Sequence, residues 1–180
     1  MRKIVLTFGL IAGAILSAMM LLTLPFQDQI GFDKGAIIGY TTMVLAFLMV
    51  FFGVKSYRDN VAGGSIKFGR AFQVGLMITV VASVCYVATW QLVYYKLAPD
   101  FVEKYAAYNL EKARASGATD AEIAGQTREI TEFQEMYKNP LVNIALTFLE
   151  PLPVGVLFTL VTAGVLSRKR RAEGVVQSLS

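Results

Sequence analysis

The residue with the clearest chemical potential is Glu150, the one ionisable side chain in the otherwise apolar stretch 141–167. Pro151 and Pro153 follow it and lack the N–H groups that a continuous helix would bond to carbonyls one turn earlier. The helix is therefore expected to kink or break, which frees two carbonyl oxygens beside a carboxylate. Such a group can bind a cation or relay a proton, as broken helices do in transporters.

A structural role for Glu150 is the alternative. A charged residue inside a membrane span costs about 2.5–3.5 kcal/mol on insertion scales, so it normally faces protein or water. It could accept hydrogen bonds from Gln91, Trp90 or a tyrosine of a neighbouring helix and thereby fix the kink. Asn143 lies close enough along the same segment to join either arrangement. The lack of a second charge within the apolar stretches favours the structural role.

The inventory of reactive groups argues against an enzyme. The chain has no histidine and one cysteine, and it has no phosphate-binding loop, nucleophile elbow or metal-ligand spacing. We therefore expect no catalytic residues, no bound metal and no cofactor. A lipid-modifying activity through carboxylates such as Asp100 and Glu103 is the remaining enzymatic alternative.

Four long apolar stretches must position these residues. Hydrophobic residues make up 55% of the chain and charged residues 17%. At about 1.5 Å of rise per residue, each stretch can cross the ~30 Å core of a bilayer. The prediction is an all-α membrane protein, a bundle of four transmembrane helices in a single domain, the first helix being an uncleaved signal anchor. The predicted spans are 4–24, 35–54, 71–95 and 141–167.

Basic residues predict the orientation. Ten lysines and arginines, against two acidic residues, lie before the first span, in the 55–70 loop and in the tail 168–180. The positive-inside rule places both termini and this loop in the cytoplasm of a bacterium, with the protein in its inner membrane. Since this charge is explained by topology, the net charge of +4 does not indicate nucleic acid as a partner.

Small residues recur at four-residue spacing in every span, which favours close helix packing in one compact bundle. The same faces could instead mark a dimer interface. The glycines that we predict at helix contacts are Gly9, Gly13, Gly35, Gly39, Gly75 and Gly155.

Residues 99–138 are predicted to form a helical hairpin outside the membrane, between the third and fourth spans. Gly117 is placed to end its first helix, and Thr119 with Glu122 forms a capping box for the second. The hairpin is either a solvated cap or a partner-binding surface. Trp90 and the tyrosines near it are interpreted as an aromatic belt at the membrane interface, with stacking on a cofactor as the alternative.

Four sequence segments together resemble one bacterial family, the domain of unknown function 4199. They are 64–72 (GSIKFGRAF), 100–105 (DFVEKY), 137–140 (YKNP) and 150–155 (EPLPVG). The resemblance covers nearly the whole chain. It implies a four-span inner-membrane protein and supplies no reaction, substrate or catalytic residue.

Two functions follow from these features as expectations. The first is a non-catalytic accessory or assembly subunit, with the lipid bilayer and either a second copy or another membrane protein as partners. The second is a small transporter or ion-conducting protein that works through Glu150.

Overall fold

A computed structural model describes residues 1–167, and this part of the chain is helical without a β-strand. The predicted tail 168–180 lies outside the described residues. The helices are α1 (Arg2–Thr23), α2 (Gln27–Ile30), α3 (Phe32–Asn60), α4 (Phe68–Leu92), α5 (Phe101–Ala115), α6 (Asp120–Tyr137), α7 (Pro140–Leu149) and α8 (Leu152–Leu166).

Four helical segments in this part of the chain are long and apolar enough to cross a membrane: Arg2–Ile30, Phe32–Asn60, Phe68–Leu97 and Pro140–Leu166. The all-α fold class predicted from the sequence is confirmed, and the protein is a multi-pass membrane protein. The helices are longer than the predicted apolar spans because polar residues at their ends continue the helical conformation. The first, for example, continues through a 3-10 turn and α2 as far as Gly31, whose φ of +75° ends it.

The four spans pack around α4, which contacts α1, α3 and α8, while α3 also packs on α1 and α8. The buried core lies mainly in the half of the bundle remote from the α5–α6 hairpin. Its fully inaccessible apolar side chains include Ala12, Ala46, Phe47, Val50, Val54, Ala71, Val74, Ile78, Ala82 and Ala163.

Four of the six predicted packing glycines lie where helices approach closely. A Cβ atom at Gly155 would collide with Thr79 Cγ2 and with the Phe47 ring, and one at Gly75 would lie 2.9 Å from Thr159 Cγ2. Added Cβ atoms at the other two would collide with residues of α4. These two are Gly9, against Val81, and Gly13, against Cys85.

Gly35 and Gly39 do not follow the packing prediction. A Cβ atom at Gly39 would meet nothing within 4 Å, and one at Gly35 would meet only the side chain of Gln27. Both glycines lie in the hairpin half of α3, where no span packs closely against them. Four-residue spacing places glycines on one helix face, but it does not determine which faces meet another helix.

The hairpin is built as the sequence predicts. Gly117, with a φ of +84°, follows the end of α5, and the capping box of Thr119 and Glu122 begins α6. The backbone N–H of Thr119 holds the pKa of the Glu122 carboxyl below its usual value.

The hairpin is attached to α3 at its first residues. The Phe32 ring lies 5.1–5.6 Å, centroid to centroid, from three aromatic rings of α5. Lys112 Nζ also donates to both carboxylate oxygens of Asp33 at 2.8 Å. The hairpin therefore closes one end of the bundle. The three rings belong to Phe101, Tyr105 and Tyr108.

Candidate functional site

The fourth span is broken at the predicted place. Helix α7 ends at Leu149 and α8 begins at Leu152, with Glu150 and Pro151 in the turn between them. On one side of the break, α8 packs on α3 and α4. On the other side, α7 packs on α4 and α6. The fourth span therefore leaves α3 at the proline break, and the hairpin half of the bundle stays open beside α3.

Two polar contacts hold α7 away from α3. Gln91 Nε2 of α4 donates to Asn143 Oδ1 at 2.7 Å, and the Asn143 side chain is fully buried. The Tyr137 hydroxyl lies 3.2 Å from Thr147 Oγ1. Because buried polar groups in a membrane need partners, these contacts fix α7 against α4 and the hairpin.

A cavity of about 550 Å³ lies in this opening. We call it the hairpin-side cavity. It is enclosed by α1, α3, α4 and α7, and aromatic rings of the hairpin lie over it. Its apolar and aromatic lining includes Leu16, Met19, Met20, Gly35, Gly39, Tyr40, Met43, Tyr86, Trp90, Phe101, Tyr105, Phe133, Tyr137 and Leu146, and its polar lining includes Gln27, Thr147 and Glu150.

Glu150 is among the residues that line the hairpin-side cavity, and it is an exposed residue of the bundle. The Tyr86 hydroxyl donates to Glu150 Oε2 at 2.9 Å, so the expected hydrogen bond from a neighbouring helix comes from a tyrosine. None of the ion pairs found within residues 1–167 includes Glu150. The carboxylate is thus oriented by one donor and has no cationic neighbour.

Trp90 and Gln91, the other two predicted donors to Glu150, bond elsewhere. Trp90 Nε1 donates to the Tyr137 hydroxyl at 2.8 Å, and its ring meets the edge of Phe101 at 5.3 Å between centroids. The Gln91 side chain donates to Asn143 Oδ1 instead. Trp90 therefore connects α4 to the hairpin and lines the cavity. The sequence predicts only a position in an aromatic belt at the membrane interface.

Sequence reasoning missed the part that α3 plays in this site. Tyr40 and Gly39 line the hairpin-side cavity. The sequence gives no reason to separate Tyr40 from other residues of its span, and it singles out Gly39 for helix packing instead. Tyr86 could have been singled out, because it lies within the third span at a depth comparable with Glu150 and carries a hydroxyl donor. Its partner could not have been chosen without knowing which helix faces lie opposite each other.

The donor set does not suit a metal ion. Within residues 1–167 no three His, Cys, Asp or Glu side chains come together. One carboxylate and neutral hydroxyl groups do not make up the six to eight oxygen ligands that calcium takes, nor the nitrogen and sulfur set that zinc prefers.

Replacing Asn143 with alanine should loosen α7. The change leaves the Gln91 amide without its partner inside the membrane, and we expect a loss of about 0.6–1.7 kcal/mol in the free energy of unfolding. Unfolding measured by steric trapping in bicelles would detect it. Asn109→Ala is the control, because Asn109 is half-buried and its side chain donates to a carbonyl of its own helix. Equal stability of the two variants would contradict the role given to Asn143.

Comparison with known proteins gives one result. The family model described as "Protein of unknown function (DUF4199)" matches residues 7–168, which includes most of the first span, the other three spans, the hairpin and the lining of the hairpin-side cavity. No curated protein and no solved structure matches the chain significantly.

Proposed function

Because this chain belongs to DUF4199, a family of proteins of unknown function, we propose its role from the geometry alone: a non-catalytic accessory membrane protein that binds an apolar molecule from the bilayer. The observation that carries the proposal is the hairpin-side cavity. Its volume of about 550 Å³ falls within the usual range of small-molecule sites.

We infer that the cavity opens to the side, where lipid would lie. Tyr40 of α3 and Leu146 of α7 line it, and these residues are 56% and 36% exposed. An opening between these two helices would face the hydrocarbon region. A lipophilic molecule could enter through it without crossing water.

A non-catalytic role is supported by the groups that the cavity contains. In the described part of the chain, Glu150 is the one carboxylate that lines the cavity, and Tyr86 is its hydrogen-bond donor. No histidine, cysteine or lysine of that part lines it to act as a nucleophile or as a second acid–base group.

Transport through Glu150 is the second candidate, because this carboxylate faces a cavity beside a broken helix. Transport would require the packed layer beyond the break to separate. Phe47 and Thr79 have no accessible surface, and both pack against Gly155. A flux of protons or cations into liposomes that disappears in Glu150→Gln would favour transport over binding.

We place the protein in a bacterial inner membrane, with both termini in the cytoplasm and the hairpin outside it. The distribution of basic residues supports this orientation. Adding protease to intact spheroplasts should cut within the loop at Gly117, and cleavage only after lysis would reverse the orientation. The accessory role also predicts a homo-oligomer or a membrane-protein partner, which purification in mild detergent should retain.

The binding proposal can be tested with Trp90, the single tryptophan of the chain, which lines the cavity. The protein is placed in nanodiscs whose lipid chains carry bromine, a quencher that acts at short range. Chains entering the cavity should quench Trp90 emission strongly compared with unbrominated nanodiscs. Emission that is the same in both lipids would contradict the proposal.

A further inference from the structure

We infer that the preferred ligand of the hairpin-side cavity is an amphipathic cation, a single ammonium group on an apolar body, with the ammonium at Glu150. This inference rests on the proposed binding function and specifies the chemistry of its ligand. It is carried by the charge of the lining, the rings around the carboxylate and the apolar remainder of the cavity.

The charge of the lining selects the sign of the ligand. Among residues 1–167, Glu150 is the one charged residue in the lining, to which no lysine or arginine of this range contributes. It lies about 15 Å along the helix from Pro140, close to the middle of a bilayer. A carboxylate at this depth without a cationic partner is costly, and a bound cation would remove most of that cost. An anionic ligand would be repelled by the same group.

Aromatic rings share the cavity with Glu150. Tyr40, Tyr86, Trp90 and Tyr137 all line the cavity. The faces of such rings attract cations, and the attraction is stronger where water is excluded. The Tyr86 hydroxyl bonds to Glu150 Oε2 and holds the carboxylate in place. The second carboxylate oxygen, Oε1, would then be the one to accept from the ammonium group of a ligand.

The rest of the cavity suits an apolar body of loosely defined shape. Leu16, Met19, Met20 and Met43 line it on the α1 and α3 sides. Methionine side chains are flexible and fill irregular gaps, so they accommodate alkyl chains and fused rings alike.

The test compares two probes that share an alkyl chain and differ in charge. Dodecyltrimethylammonium and dodecanol are added, at equal mole fractions in the bilayer, to the protein in brominated nanodiscs. Each probe restores Trp90 emission as it displaces a quenching chain. We expect the cation to act at about tenfold to a hundredfold lower mole fraction, the range for a hydrogen bond or close contact to a charged group.

Variants assign this preference to the carboxylate. Glu150→Gln, which keeps the shape and removes the charge, should make the two probes equally effective, and Glu150→Asp should keep a preference for the cation. Glu129→Gln is the matched control on the exposed surface of α6 and should behave as wild type.

The possible outcomes separate the two proposals. Equal displacement by both probes in the wild-type protein would overturn the inference while leaving chain binding intact. A preference that persists in Glu150→Gln would also overturn it. If brominated chains do not quench Trp90 at all, the proposed function itself fails.

Discussion

Replacing Gly39 with phenylalanine is expected to empty the hairpin-side cavity of ligand without unfolding the protein. An added Cβ at Gly39 meets no atom within 4 Å, so the new ring enters open space that a ligand would otherwise occupy. Displacing a bound chain by such a clash costs about 1–3 kcal/mol, which corresponds to a loss of affinity of about fivefold to 150-fold. Trp90 quenching by brominated lipid should fall accordingly.

The control for this prediction is Gly164→Phe. Gly164 lies in α8, also has no atom within 4 Å of an added Cβ, and is not part of the cavity lining. It should retain the wild-type quenching, and both variants should elute from size exclusion like the wild-type protein. Normal quenching in a well-folded Gly39→Phe protein would mean that the cavity is not where the lipid chains bind.

Replacing Gly155 with leucine is expected to cause the largest loss of stability in the bundle. The first carbon of the new side chain would already collide with Thr79 of α4 and with the Phe47 ring of α3. Because both neighbours are fully buried, neither can move away without shifting a helix. Overpacking of this kind costs about 3 kcal/mol. Steric trapping in bicelles should show the loss as a lower free energy of unfolding.

Gly164→Leu provides the comparison within the same helix. It makes the same change in helix propensity and hydrophobicity but has open space around the added side chain, so its unfolding free energy should be close to wild type. If Gly155→Leu is as stable as Gly164→Leu, the result would contradict the close approach of α8 to α3 and α4.

The sequence predicts the fold well because the determining signals are local. A span needs only a sufficiently long run of apolar residues, and a hairpin needs only a helix stop such as Gly117 and a helix start such as Thr119 with Glu122. The break at Pro151 and Pro153 is equally local, since it follows from the missing N–H groups. All of these features appear in the structure where the sequence places them.

The site was only partly predictable because it depends on how helices face each other. Glu150 stands out in the sequence, but its bond to Tyr86 and its exposure to a cavity arise from the separation of α7 and α3. The same limit explains why only some of the predicted packing glycines lie at helix contacts. Gly9 and Gly39 have similar spacing signals, yet one meets Val81 closely and the other lines an open space.

The central claim is that Glu150 can be reached from the bilayer through the hairpin-side cavity, and its chemical labelling tests this most directly. Dicyclohexylcarbodiimide, a membrane-soluble reagent, adds to a carboxyl group and rearranges to a stable N-acylurea that mass spectrometry can locate. We predict that it modifies Glu150 in lipid bilayers, and that Gly39→Phe slows this modification. A Glu150 that stays unmodified in the folded wild-type protein, under conditions that label other membrane carboxyl groups, would contradict the account.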